Sequence, residues 1–147
     1  MSDATTTPQT RPTGQTNPTG LFASFQAHDA EALRDFLVTT LGFAENVVHR
    51  EGDRIAHAQL DWPEGGGVMF GSHKPGAAWS SEPGTAGVYL VSTDVDAVAE
   101  RVRQAGAEVV RPLADTDYGS REMTVRDPEG NLWSIGSYAG EPRATSM

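Results

Sequence analysis

The chain has 147 residues, 11 Lys+Arg against 20 Asp+Glu, no cysteine, 16 glycines and 9 prolines. That length suits one domain or two small modules sharing a core, and the missing cysteines exclude disulfides, thiolate nucleophiles and Cys-ligated metal sites. A net charge of -9 argues against nucleic acid or an anionic membrane as partner, since both demand clustered Lys/Arg, and leaves room for a cationic or neutral small molecule.

Residues 1–19 are mainly Thr, Pro, Gln and Gly, with no aromatic or branched aliphatic side chain. Nothing there offsets the entropy of ordering, so a disordered tail is expected, with a domain over 20–147. No apolar run approaches the roughly 20 residues that span a bilayer. The N-terminus also lacks the basic start and apolar stretch of a secretory signal, and the expected location is cytoplasmic.

Taken in chain order, 21–27 reads as a strand, followed by an amphipathic helix over Asp29–Leu41. Leu33, Phe36, Leu37 and Leu41 share one face of that helix, and Asp29 is its N-cap. Strands follow at 45–50, 54–62, 67–72 and 87–92. A second helix covers Asp94–Ala105, with Val95, Val98, Ala99 and Val102 on one face and Gly106 as its stop. Strands at 108–111, 121–126 and 131–137 complete the chain. The order is βαβββ twice, an α+β pattern.

An internal repeat underlies that order. Pro63-Glu64-Gly65 recurs 65 positions later as Pro128-Glu129-Gly130, and Gly71-Ser72 recurs at the same shift as Gly136-Ser137. Asp29 falls on Asp94, Leu33 on Val98, Leu37 on Val102, Leu60 on Val125 and Phe70 on Ile135. The repeat divides the domain into module 1 (20–76), a linker (77–85), module 2 (86–140) and a C-terminal tail (141–147).

Two segments carry a resemblance. Leu41-Gly42-Phe43 closes the first helix, and Tyr118-Gly119-Ser120-Arg121-Glu122 leads into Val125-Arg126-Asp127-Pro128-Glu129-Gly130-Asn131-Leu132-Trp133. With the paired modules, these make the chain resemble the vicinal oxygen chelate superfamily of glyoxalases, bleomycin-resistance proteins and extradiol dioxygenases. The resemblance covers about residues 20–140 and specifies fold far better than function. It implies two tandem βαβββ modules forming a cupped mixed sheet with helices on its outer face, a small-molecule ligand and pairing as a homodimer. In metal-dependent members, one residue on the first and last strand of each module binds a divalent ion. Those positions here are Phe22, Met69, Gly87 and Ser134, which offer no carboxylate, imidazole or amide. No metal and no cofactor are expected.

Strand alternation then assigns the cavity face. Phe22, Ser24, Gln26, Gly87, Tyr89 and Val91 point inward, as do His57, Gln59, Met69, Glu122, Thr124 and Ser134. Ala58, Leu60, Val68, Phe70, Met123, Val125, Trp133 and Ile135 belong to the core. His57 and Glu122 serve either as general base and acid or as local hydrogen-bonding partners that orient Tyr118 or Arg121. Arg121 either clamps an anionic group or pairs with Glu122 or Asp117. Trp79, in the linker, is the aromatic lid residue, and Tyr138 is a candidate wall. His28, His49 and His73 read as surface groups. No nucleophile elbow, phosphate loop or H-E-x-x-H pair occurs.

Three functions are open. The first is a metal-free protein that binds and sequesters an aromatic or cationic compound. The second is a metal-independent lyase or isomerase using His57 and Glu122, with Arg121 holding substrate. The third is a metal enzyme with relocated ligands.

Overall fold

Asp29 and Asp94 each accept the backbone N–H three residues on, from Ala32 and Ala97, at 3.1 Å in both cases. These caps start the two helices of a computed structural model that describes residues 20–145. The tail expected over 1–19 lies outside the described residues, as do 146 and 147. Helix α2 (Val95–Ala105) ends on Gly106 at φ 67, where the N–H of Ala107 reaches back to the Val102 carbonyl. Helix α1 (Ala30–Asp35) departs from the single helix expected over Asp29–Leu41, because it widens into a π-helical segment over Phe36–Leu41. The β-branched run Val38-Thr39-Thr40 disfavours a tight turn, and the Thr39 hydroxyl donates to the Asp35 carbonyl at 2.5 Å. Leu37 and Leu41 stay fully buried despite the wider turn.

The described residues also form eight strands: β1 (Phe22–Ala27), β2 (Ala44–Glu51), β3 (Arg54–Asp61), β4 (Gly67–Ser72), β5 (Gly87–Val91), β6 (Glu108–Asp115), β7 (Arg121–Arg126) and β8 (Leu132–Gly136). They form two four-stranded mixed sheets, ordered β1-β4-β3-β2 and β5-β8-β7-β6. In each, the first and last strands of the module run parallel and the other pairs antiparallel. The repeat extends to register: Ser24 faces Met69 as Tyr89 faces Ser134, and Gln59 faces Met69 as Thr124 faces Ser134. Strand β6 outruns the expected 108–111, reaching Asp115. Pro112 is tolerated there because β6 is a sheet edge, and register shifts on both sides of Arg111 release Pro112 from the ladder.

One core joins the modules. Leu60, Phe70, Val125, Trp133 and Ile135 are each at most 1% exposed beneath the helices. Ring centroids of Phe25 and Phe43 lie 6.0 and 5.8 Å from Trp133, and Phe43 lies 4.9 Å from Trp62, so aromatic contacts cross from module 1 to module 2. Arg101 of α2 donates to the Thr40 and Leu41 carbonyls at 3.1 and 2.9 Å, capping the π-helical segment of the other module. Gly42, at φ 101, also leaves space for that guanidinium, which a Cβ would meet. The opposite sheet faces are left to form cavities. Among the described residues, no helix is long and apolar enough to cross a membrane.

Candidate functional site

The concave face of module 2 holds a cavity of about 470 Å3. Alternation on β5, β7 and β8 aims Tyr89, Glu122 and Ser134 into it, and Arg111 of β6 closes one side. Tyr118 enters from the β6–β7 turn and Tyr138 from the segment after β8. All three tyrosines of the chain therefore meet here.

Their focus is Glu122, only 6% exposed. Tyr118 donates to its Oε1 at 2.8 Å, and the Tyr89 hydroxyl lies 3.2 Å from Oε2 and 2.9 Å from the Tyr138 carbonyl. Arg111 Nη2 stands 3.8 Å from Oε1, a loose ion pair on a half-exposed guanidinium. Burial pushes the Glu122 carboxyl upward. Hydrogen bonds from Tyr118, Ser120 and Tyr89, with the Arg111 charge, outweigh it and hold the group below the ordinary carboxylate value of 4.5. The site thus keeps a buried anion at neutral pH. Burial raises the Tyr89 hydroxyl, and the bond to Glu122 raises that of Tyr118, so both remain protonated donors.

Neighbours make this arrangement possible. Gly136 faces Glu122 across the β7–β8 ladder, and a Cβ there would overlap the Tyr89 hydroxyl and Glu122 Cγ. Thr124 accepts from Arg111 Nε at 2.9 Å and its Oγ1 lies 2.9 Å from Ser134 Oγ, which fixes the arginine stem against the floor. Tyr118 and Tyr138 meet edge to face at 5.9 Å.

The other sequence-derived residues fall elsewhere. Gln26 and Trp79 line a separate cavity in module 1. Ser24, Gln59 and Met69 are register neighbours on the module 1 sheet, and Phe22 pairs with Gly67 at its end. Exposed His57 stacks on His49 with centroids 6.5 Å apart, and partial burial followed by the His49 charge lowers its pKa. Neither these four nor His57 line any of the three cavities described, the third being a groove of about 280 Å3 beside β5. No hydrogen bond or ion pair joins His57 to Glu122 among the described residues. Arg121 donates to Asp96 and Asp115, both at 3.0 Å, so its fork is already filled by two carboxylates.

The divalent-ion positions implied by resemblance do not fit a metal. Phe22 and Gly87 bear no donor, the Met69 thioether is soft, and the Ser134 hydroxyl is engaged with Thr124. Among the described residues, no group of three or more His, Asp or Glu side chains is placed to hold an ion. Arg111 escaped the sequence reading because bulges disturb alternation along β6. Tyr138, expected as an aromatic wall, does line the cup, just past β8.

The family model for the Glyoxalase/Bleomycin resistance protein/Dioxygenase superfamily matches residues 21–135. The chain belongs to this superfamily. Among solved structures, TioX from Micromonospora sp. ML1 is similar at 32% identity and TM-score 0.70, over 80% of this chain and 97% of that one. A glyoxylase/bleomycin resistance protein/dioxygenase domain from Frankia sp. EAN1pec shares the fold at 19% identity and TM-score 0.60, over 80% and 96% of the two chains. An uncharacterized protein of Mycobacterium bovis is 47% identical over 49 residues, 33% of this chain and 32% of that protein. The match therefore spans about a third of that relative's length. Superfamily membership accounts for the duplicated fold and leaves the ligand to the site itself.

Proposed function

We propose that this superfamily member is a metal-free small-molecule-binding protein whose module 2 cup takes an aromatic cation. The observation that carries the reading is Glu122: a buried, ionised carboxylate held by Tyr89 and Tyr118 within a cavity of about 470 Å3. Tyrosine faces attract cations by about 0.5–2 kcal/mol each, more as water is excluded, and stack against planar rings. The cavity volume lies in the range of small-molecule sites. Arg111 pairs loosely enough to yield its place beside the carboxylate.

The lyase or isomerase reading needs His57 and Glu122 to act on one substrate. His57 outside the cup and a Glu122 pKa shifted away from neutrality favour binding over acid–base chemistry. Isothermal titration in chelator-containing buffer, against planar aromatic cations and cationic glycopeptides, tests the proposal. Saturable binding tighter than about 1 mM supports it, and its absence across the panel overturns it.

A further inference from the structure

We propose that module 1 carries a second binding site, separate from the tyrosine cup, for a planar aromatic molecule bearing a carboxylate. Its cavity, about 790 Å3, lies where β1, β3 and β4 meet the chain leading into the linker. The 65-residue shift relates it to the cup, for His73 falls on Tyr138 and Gln26 on Val91. The two cavities thus share one edge under the repeat, while Ser24, His57 and Met69, the counterparts of Tyr89, Glu122 and Ser134, lie outside the module 1 cavity.

The module 1 cavity is basic in a chain of net charge -9. Lys74, the chain's one lysine, and Arg54 line it against a single carboxylate, Glu51. The Lys74 ammonium makes no ion pair or hydrogen bond among the described residues. Arg54 donates one N–H to the His73 carbonyl at 2.6 Å, which pins the guanidinium to the wall.

Gln26 adds a donor of a different kind. It is 2% exposed, and its Oε1 accepts from Lys74 N at 3.3 Å and from the Ser80 hydroxyl at 3.0 Å. Those bonds fix the amide orientation and leave Nε2 without an acceptor among the described residues. A buried N–H of this kind calls for an acceptor. Ammonium, guanidinium and amide are all satisfied by a carboxylate.

Trp79 supplies the aromatic half. It is 62% exposed at the cavity, whereas the indole N–H groups of Trp62 and Trp133 are bonded inside, to the Val91 carbonyl and Asp127 at 2.7 and 2.8 Å. A free indole face beside three donors suits a flat ring carrying an anionic group better than it suits a bare ion.

The test is heteronuclear NMR of the tryptophan indole N–H signals as the full chain is titrated with 2-naphthoate. The expected result is a saturable shift of the Trp79 signal, with Trp62 and Trp133 steady, that persists when the cup is saturated with an aromatic cation. Lys74→Ala, a surface change, is expected to weaken binding at least about tenfold, and Gln26→Leu to weaken it as well. Equal affinity in Lys74→Ala, equal affinity for neutral 2-naphthylmethanol, or a titration that leaves Trp79 unmoved would each overturn the assignment.

Discussion

Glu64 and Glu129 each cap the other's module. The Glu129 carboxylate accepts the backbone N–H groups of His28 and Asp29 at 2.7 and 2.8 Å, and Glu64 accepts that of Thr93 at 2.9 Å. The glutamates are 65 residues apart, and so are His28 and Thr93, so the duplicated turn makes a reciprocal clamp between the modules. Charged acceptors at these helix entries also complement the helix dipoles. Glu129→Ala is expected to cost about 1–2 kcal/mol and Glu64→Ala less, because Glu129 satisfies two backbone donors, whereas Glu64 satisfies one and a longer bond from the Thr93 hydroxyl, which solvent can replace. Urea unfolding of the two variants measures both values, and the reverse ranking would contradict the clamp.

The repeated Gly-Ser pair has different reasons in its two copies. A Cβ on Gly71 would strike the Ala56 backbone carbonyl, whereas one on Gly136 would strike side-chain atoms only, the Tyr89 hydroxyl end and Glu122 Cγ. Gly71→Ala is therefore expected to lower stability by about 1–3 kcal/mol, the range of overpacking. Gly136→Ala is expected to cost less stability and more ligand affinity, as Tyr89 moves off Glu122. Thermal unfolding paired with calorimetric titration separates the two effects.

The carboxylate of Glu122 links the cup to acid stability. Its pKa is lowered in the folded chain, so its contribution is present above the ordinary value of 4.5 and is lost as pH falls through the folded value. Tyr118→Phe removes its 2.8 Å donor. The variant is expected to show a higher Glu122 pKa by carboxyl NMR and a shallower loss of stability with acid. An unchanged pKa would mean that Tyr118 does not hold the carboxylate.

His57 acts at milder pH. Its folded pKa lies below 6.5, from partial burial and then the neighbouring His49 charge. Folding thus disfavours the protonated form, so stability is full above about 6.5 and declines as pH drops below it toward the folded value. His57→Gln is expected to flatten that decline in urea midpoints measured between pH 7 and 5.

Much of the fold was legible because its signals are local. Asp29 and Asp94 announce helix caps, the repeated Pro-Glu-Gly turns mark hairpins, and alternation separates Phe70 and Trp133 from Met69 and Ser134. The π-helical segment, the long edge strand β6 and the meeting of Tyr89 with Tyr138 depend on contacts that no period encodes. Gln26 shows the difference most clearly. Alternation set it on the cavity face, yet its partners, Lys74 and Ser80, come from chain beyond the module's last strand. Arg121 likewise has ordinary anion-clamping chemistry, and only tertiary structure supplies the two aspartates that occupy it.

The claim that Glu122 makes the tyrosine cup a metal-independent cation site is tested most directly by one comparison. Benzyltrimethylammonium is titrated calorimetrically into the wild-type chain and Glu122→Gln, both in chelator. Saturable binding to the wild type tighter than about 1 mM is expected, weakened at least about tenfold in the variant. Equal affinities, or binding that develops only when a divalent metal is added, would contradict it.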